Sequence, residues 1–304
     1  MQLKTYNFYS QNFEDVLLAR CFADQSIGFY IDVGAQHEEA DSVTRYFYER
    51  GWNGINIEPV SEFAETFECR DRDKTVCCAA GSQEVTMPMS VSLASGLSSF
   101  DKVNTAKTKA MGLIAETRLI KIRTLNSILC DLGISQTSFE FLKVDVEGFE
   151  LEVIKGIDLN RFRPRIILCE VTDPNTINKT SSFGQLCHEI EAFQYQYVYF
   201  DGLNQWWCAT ESYDELAQHF TLPPGVMDST TLTPYSGTLA RKQLSDAHNQ
   251  LSDAQNQLII AEKAMLQANK RLAALHASLS WRITSPLRNI AQLINKFGQS
   301  TGRP

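Results

Sequence analysis

Hydrophobic and polar positions fall into two regimes along this chain. Up to about residue 210, short apolar runs alternate with amphipathic stretches. The runs Phe29–Ile31, Gly54–Ile57, Thr75–Ala80, Phe139–Val144 and Arg165–Val171 each end at a glycine, an acid or a proline, the pattern of strands. Between them the spacing predicts helices at Glu14–Ala23, from Asp41-Ser42 to Gly51 with Val43, Tyr46 and Phe47 inward, and at Phe63–Cys69. Residues 84–93 (EVTMPMSVSL) read as a strand whose Pro88 requires an edge position, and Thr105–Ala115 as a polar cover. Thr124 is placed to cap a helix after Ile120–Ile122, another helix runs to Lys155 with Gly156 as its stop, and a further one covers 184–193. Tyr195–Phe200 and Gln205–Ala209 flank Asp201-Gly-Leu-Asn204 as a hairpin. Alternating strands and helices predict an α/β architecture: a doubly wound, mainly parallel sheet of about seven strands.

The second regime begins after Tyr235-Ser-Gly. QLSDAHN at 243–249 is followed by QLSDAQN at 250–256. Leu244, Leu251, Leu258, Met265 and Leu272 recur every seven residues, each followed three positions later by Ala247, Ala254, Ala261, Ala268 or Leu275. A seam sustained this long predicts a coiled coil over 238–277, hence a homo-oligomer or a helical partner. Its alanines supply little buried area. The last segment, 278–304, sets Trp281, Leu287, Ile290 and Phe297 beside Arg282, Arg288 and Lys296. It suits either an amphipathic helix on an anionic membrane surface or a helix docked on protein. The expected domains are 1–237, 238–277 and 278–304.

Composition narrows the classes. At 304 residues and 43% hydrophobic, one sizeable domain plus an appendage is affordable. The net charge of −8 is uneven: from Lys263 onward there are seven basic residues and no acid, leaving 21 basic against 36 acidic residues, a net of −15, before it. Such a body repels nucleic acid. The opening MQLKTYNFYSQN has no apolar core of a leader, and no run of about 18 apolar residues occurs, so the expectation is a cytoplasmic protein, with peripheral contact at the inner membrane face if the tail binds there. Eight cysteines without a C-x-x-C pair read as buried free thiols.

Candidate chemistry concentrates in Phe29–Pro59. The first strand ends in Asp32-Val-Gly34, and the next ends in Glu58, 26 positions after Asp32. A second-strand carboxylate is placed to accept both ribose hydroxyls of an adenosyl ligand. The loop Gly34-Ala-Gln-His37 lacks the G-x-G-x-x-G that closes on pyrophosphate. An adenosyl ligand without phosphate, S-adenosylmethionine above all, fits better. A second acidic group, Asp145, Glu147 and Glu150, follows the strand through Val144.

These segments resemble a known family. Tyr9-Ser-Gln-Asn-Phe-Glu-Asp15, Tyr30-Ile-Asp-Val-Gly-Ala35, Asp41-Ser-Val-Thr44, Gly51-Trp-Asn-Gly-Ile-Asn-Ile-Glu-Pro59 and Phe141-Leu-Lys-Val-Asp-Val-Glu-Gly148 are together similar to FkbM-type S-adenosylmethionine-dependent methyltransferases, from about Tyr6 to Trp207. The resemblance implies a Rossmann-like fold, S-adenosylmethionine as cofactor and a hydroxyl acceptor. The loop departs from the family's Gly-Ala-Asn-x-Pro by carrying Gln36, His37 and Glu38. Ser278-Leu-Ser-Trp-Arg-Ile-Thr-Ser-Pro-Leu-Arg288 resembles tails of bacterial proteins that build surface polysaccharides, which points to a sugar hydroxyl of a surface glycan or its lipid-linked precursor. Alternatives are a small-metabolite O-methyltransferase and a non-catalytic scaffold.

On this reading Asp32, Gly34, Ala35, Glu58, Gln11 and Ala80 hold the cofactor. Asp145 is the base or orienting group, with Glu147 and Lys143 around it and His37 as an alternative base. Ser10, Gln11, Glu14 and Asp15 either face the ligands or serve as a helix cap. The rival reading of Asp145 and Glu147 is charge at a helix start, and that of His37 is local loop bonding. Asp145 with Glu147 alone does not establish a cation site, so no metal is expected.

Overall fold

The computed structural model describes residues 7–93, 98–100, 105–106, 116–135, 137–172, 182–225 and 228, and parts of 257–292. The chain divides into a compact unit of residues 1–239 and a second of 240–304. The expected cover at Thr105–Ala115 lies almost wholly outside the described residues.

The first unit is built on a seven-stranded sheet of order β3-β2-β1-β7-β8-β10-β9. Its strands are β1 (Phe29–Val33), β2 (Asn53–Ile57), β3 (Lys74–Val76), β7 (Ser138–Val144), β8 (Arg163–Glu170), β9 (Tyr195–Phe200) and β10 (Asn204–Ala209). The first five in that order pair in parallel, and β10 is antiparallel to both neighbours. A mainly parallel, Rossmann-like methyltransferase sheet therefore stands as expected. Its order reverses between β1 and β7, the crevice where open α/β sheets bind ligands.

Pleating sends successive residues of the central strands to opposite faces, each an apolar core. Ile31, Leu142, Ile167 and Trp207 face one core, shared with helix α4 (Leu125–Asp131), helix α5 (Glu150–Lys155) and helix α6 (Phe183–Ala192). Tyr30, Phe141, Ile166, Leu168 and Trp206 face the other, where helix α1 (Glu14–Cys21) packs Val16, Leu17 and Leu18. Sequence periodicity and packing agree here because β1, β7 and β8 are buried on both faces.

Several expected elements are shorter or divided. The helix expected from Asp41 to Gly51 is only α2 (Arg45–Tyr48), and Phe63–Cys69 begins within α3 (Ser61–Ala64) and continues as a 3₁₀ turn at Glu65–Cys69. Thr75–Ala80 is not one strand. β3 ends at Val76, and β4 (Ala79–Ala80) belongs to a second sheet, of order β4-β6-β5, with β5 (Val85–Val91) and β6 (Glu116–Arg123). Pro88 sits on β5, an edge strand as its missing N–H requires. The Thr124 hydroxyl accepts from Ser127 N at 3.1 Å, the expected cap. The cysteines are free, but Cys69, Cys77 and Cys130 are exposed, which corrects the expectation of uniformly buried thiols.

A buried polar hub braces the segment between β1 and α2. The Arg70 guanidinium donates to Thr44 Oγ1 at 2.9 Å and to Ser42 Oγ at 3.0 Å, and pairs with Asp73 at 3.5 Å. Asp73 in turn accepts from the Tyr30 hydroxyl, Gly54 N at 2.8 Å and Asn56 Nδ2 at 2.9 Å. A buried guanidinium persists only with this many partners. Its effect is to fix the stretch that carries Asp41 to the mouth of the crevice.

In the second unit the described residues between 263 and 275 are helical, and Leu258, Met265, Leu272 and Leu275 of the heptad seam are exposed. Leu244 and Leu251 lie outside the described residues. No described helix is long and apolar enough to cross a membrane.

Candidate active site

The site forms where the loops after β1, β2 and β7 meet. Gly34 N donates to Ile57 O at 2.9 Å, and Asp145 N donates to Val33 O at 3.0 Å, so both loops continue the sheet's bonding beyond the strand ends. Gly34 has φ +78°, and a Cβ there would overlap the Asp145 carbonyl oxygen. Only glycine lets the first loop cross the third.

These loops border a cleft open to solvent, a concave place of the kind that small molecules occupy. Gln11, Gly34, Glu58, Ala80, Asp145 and Glu147 line it. Gln11 reaches it through a bridge between Ser10 and Asp41 that lays the opening segment along the cleft. Ile57, Phe63, Met89, Phe100 and Phe149 supply apolar wall. Among the described residues that line it there are four carboxylates (Asp41, Glu58, Asp145 and Glu147) and no Lys, Arg or His.

Glu58, at the tip of β2, is 5% exposed. Its Oε2 accepts from Gln36 N at 2.9 Å and its Oε1 from Val60 N at 2.8 Å. Burial pushes its carboxyl up to about 7 against the pull of these two amides and of Lys143. Each oxygen keeps further acceptor capacity for ribose hydroxyls.

Lys143 ties the donor and acceptor sides together from beneath. Its ammonium donates to Gly34 O at 3.0 Å, and lies 3.2 Å from Asp32 Oδ1 and 3.4 Å from Asp145 Oδ2. Burial would lower its pKa, but Asp32 and Asp145 outweigh it and hold the ammonium charged. Asp32 is itself 1% exposed, and burial raises its carboxyl despite Lys143. Asp32, Ala35 and Lys143 are not among the described residues that line the cleft.

The third loop is held in a turn. β7 stops at Val144, so strand alternation does not carry as far as Glu147, whose φ is +54°. Its carbonyl accepts from Ser99 Oγ at 2.7 Å, while Glu150 Oε1 accepts from Val146 N at 3.2 Å and Gly148 N at 3.0 Å. Gly156 ends α5 with an ordinary φ of −86°, and a Cβ there would strike the Gly81 carbonyl.

A family model, the FkbM methyltransferase domain, matches residues 32–198. The chain belongs to this family. FkbM enzymes are S-adenosylmethionine-dependent O-methyltransferases that act on sugar hydroxyls in polysaccharide and glycoconjugate biosynthesis, and S-adenosylmethionine is the cofactor here. The matched region is narrower than the resemblance read from sequence, leaving Tyr9–Asp15 outside it. No curated protein is matched.

The cleft fits the FkbM cofactor on its own chemistry. A lining whose described residues include four carboxylates and no basic side chain disfavours phosphate and suits a sulfonium carrying an amino group. Apolar wall beside Ala79 and Ala80 suits an adenine ring.

Two sequence expectations find different company. His37 is not among the cleft-lining residues; its Nδ1 accepts from Glu39 N at 3.0 Å and Ala40 N at 3.2 Å, which is the local loop role. Asp15 accepts from Tyr9 N, Ser10 N and Ser10 Oγ, and Glu14 accepts from Asn12 N and Asn204 Nδ2, so both brace the opening segment. The helix is entered through Phe13, in the left-handed region, whose side chain gives no cap; Ser10 Oγ accepts from Asp15 N of the first turn at 3.4 Å, the cap role expected for it.

One residue was missed. Glu170, at the end of β8, brings its carboxylate within reach of Asp145 and Glu147, with ligand atoms of all three inside 4.8 Å. The sequence reading stopped at Asp145 with Glu147, to which the fold adds this third carboxylate. A divalent cation fits that spacing, and the Lys143 ammonium stands 3.4 Å from Asp145, so a cation there would share Asp145 with a lysine. The sequence signal was an acid at a parallel strand's carboxyl end, the same signal that marked Glu58.

Proposed function

We propose that this enzyme methylates a hydroxyl of a neutral sugar within a bacterial surface glycan or its lipid-linked precursor. The observation that carries the reading is the cleft's lining: among the described residues it offers carboxylates and amides and no basic side chain, a set that accepts hydroxyl hydrogens and disfavours phosphate. A lipid-linked acceptor would present its sugar to the cleft with its phosphates outside it.

On this reading Glu58 accepts the ribose hydroxyls, Gly34 and Gln36 give the backbone loop around the cofactor, and Gln11 and Ala80 complete the walls. Asp32 acts through Lys143. Asp145 and Glu147 meet the acceptor hydroxyl, Asp145 with a carboxylate 23% exposed toward solvent and anchored by Lys143. S-adenosylmethionine supplies an electrophilic methyl group on a positively charged sulfur. The protein's share is holding the acceptor oxygen in line and taking its proton.

The test is methyl transfer from labelled S-adenosylmethionine to a panel of lipid-linked and lipid-free oligosaccharides, nucleotide sugars and small phenols. Labelling of oligosaccharides is expected. Labelling of phenols alone would end the glycan reading.

The heptad seam of the second unit supports self-association, because its exposed Met265, Leu272 and Leu275 continue the Leu244–Leu251–Leu258 series. The basic residues and Trp281 support contact of the tail with anionic lipid. Removing residues 240–304 is expected to lower the native mass by more than the deleted segment and to abolish recovery with anionic vesicles. Cofactor affinity is expected to stay within about twofold, since its lining residues all lie in the first unit. Unchanged oligomeric state and vesicle binding would remove both roles.

A further inference from the structure

The loop after β7 holds a conformation that a side chain does not favour. Glu147 has φ +54°, in the left-handed region, and Gly148 follows it at φ +98°. A residue other than glycine stays there only where its surroundings hold it. Here the peptide unit joining Glu147 to Gly148 is gripped at both ends. Its N–H donates to Glu150 Oε1 at 3.0 Å, and its carbonyl accepts from Ser99 Oγ at 2.7 Å.

The two grips come from different parts of the chain. Glu150 opens α5, directly after the loop, whereas Ser99 lies 48 residues before Glu147 and beside the second sheet. Ser99 N donates to Ser90 O at 2.9 Å and Ser90 N to Ser99 O at 3.0 Å, which lays the segment 98–100 along β5. Ser92 N donates to Ser98 Oγ at 3.0 Å, a further tie to the end of that strand. The next residue, Phe100, sets its ring 5.1 Å from that of Phe149, centroid to centroid. A short clip on the second sheet therefore meets the β7 loop twice, by a hydroxyl at Glu147 and by a ring at Phe149. Ser99 is 2% exposed, and a hydroxyl so buried needs an acceptor.

We propose that Ser99 is a positioning residue for methyl transfer: its hydroxyl holds the Glu147 carbonyl and so keeps the Glu147 side chain at the cleft, where it meets the acceptor hydroxyl. This rests on the hydroxyl-acceptor reading above. Ser98, Phe100 and Glu147 line the cleft, but Ser99 is not among its described lining residues, so it acts through Glu147 rather than on a ligand. Without that hydroxyl one end of the Glu147–Gly148 peptide is released. The ordinary preference for negative φ then draws Glu147 away from the acceptor. The bonds that shape the cofactor side, from Gly34 N to Ile57 O and from Gln36 N and Val60 N to Glu58, do not involve Ser99. Its loss should slow turnover and spare cofactor binding, a split that general destabilisation of the fold would not produce.

The test uses the full-length protein and three variants. Ser99→Ala removes the hydroxyl, Ser99→Cys fills the same space but donates poorly, and Ser99→Thr keeps the donor. Hydrogen exchange at the Gly148 amide, followed by NMR in the cofactor-free protein, is expected to be slow in the parent and in Ser99→Thr. It is expected to quicken about tenfold in Ser99→Ala and Ser99→Cys. With labelled S-adenosylmethionine and the lipid-free oligosaccharides of the acceptor panel, the same two variants are expected to lose about tenfold in kcat. Ser99→Thr is expected to stay within about threefold of the parent, and S-adenosylhomocysteine affinity within about twofold in all three. The inference is overturned if the Gly148 amide exchanges freely in the parent, or exchanges at the parent's rate in Ser99→Cys. It is equally overturned if Ser99→Cys turns over at the parent's rate, or if cofactor affinity falls in step with turnover. The exchange measurement needs neither cofactor nor acceptor, so it stands apart from any failure to find a glycan substrate. Ser99→Cys leaves no cavity and decides the question even if the alanine variant does not fold.

Discussion

Gly34→Ala is expected to abolish cofactor binding. The added methyl would overlap the Asp145 carbonyl oxygen, a backbone atom that cannot swing aside, at a residue whose φ of +78° already disfavours any side chain. The left-handed conformation alone costs about 1–2 kcal/mol. Relief of the overlap requires the β1 loop to withdraw from the β7 loop, which breaks the Gly34 N bond to Ile57 O and the Lys143 bond to Gly34 O. We expect S-adenosylhomocysteine affinity to fall by at least about 100-fold, with about 3 kcal/mol lost from stability. Calorimetric titration together with thermal melting checks it. Near-parental affinity would show that the two loops do not touch in solution.

Glu58 gives the second large effect, and here the conservative replacement is expected to fail as badly as the drastic one. Each of its oxygens accepts a backbone N–H, from Gln36 and from Val60. In Glu58→Gln the amide nitrogen would face one of those donors, so the loop would have to move or lose a bond. Ribose hydroxyls would also lose a charged acceptor, worth about 1.5–3 kcal/mol per hydrogen bond. Both Glu58→Gln and Glu58→Ala are expected to weaken S-adenosylhomocysteine binding roughly 100-fold. Retention of affinity in Glu58→Gln alone would mean that the backbone bonds do not govern the carboxylate.

The strand–loop–helix–strand unit around the cofactor was legible in the sequence because its information is local. Gly34 and Glu58 stand at fixed distances from the ends of apolar runs, and the parallel pairing of β1 with β2 follows from chain order. Glu170 was not legible as part of the site, although the acid was plain to see. That β8 lies beside β7 is a tertiary fact, and only this adjacency brings Glu170 to Asp145. For His37 the sequence left two readings, and the structure shows the loop one: its Nδ1 is engaged by the loop's own amides. Thr75–Ala80 looked like one strand because its residues are uniformly apolar or small. The chain instead leaves the main sheet at Val76 and joins the second one at Ala79, a change of partner that periodicity does not encode. Arg70 and Asp73 carried no sequence signal at all, and only folding shows them as a buried brace.

The passage of the Gly34 loop across the Asp145 carbonyl also bears on how such an enzyme diversifies. Donor and acceptor loops come from strands more than a hundred residues apart, yet they share one contact, and one ammonium is bonded to both. Neither loop is an independent module. Recombination that exchanged the acceptor loop between relatives would inherit a mismatched cofactor loop, so new acceptor preferences should accumulate at cleft-lining residues outside both loops, such as Phe100, and chimeras should be cut to carry both loops as one cassette.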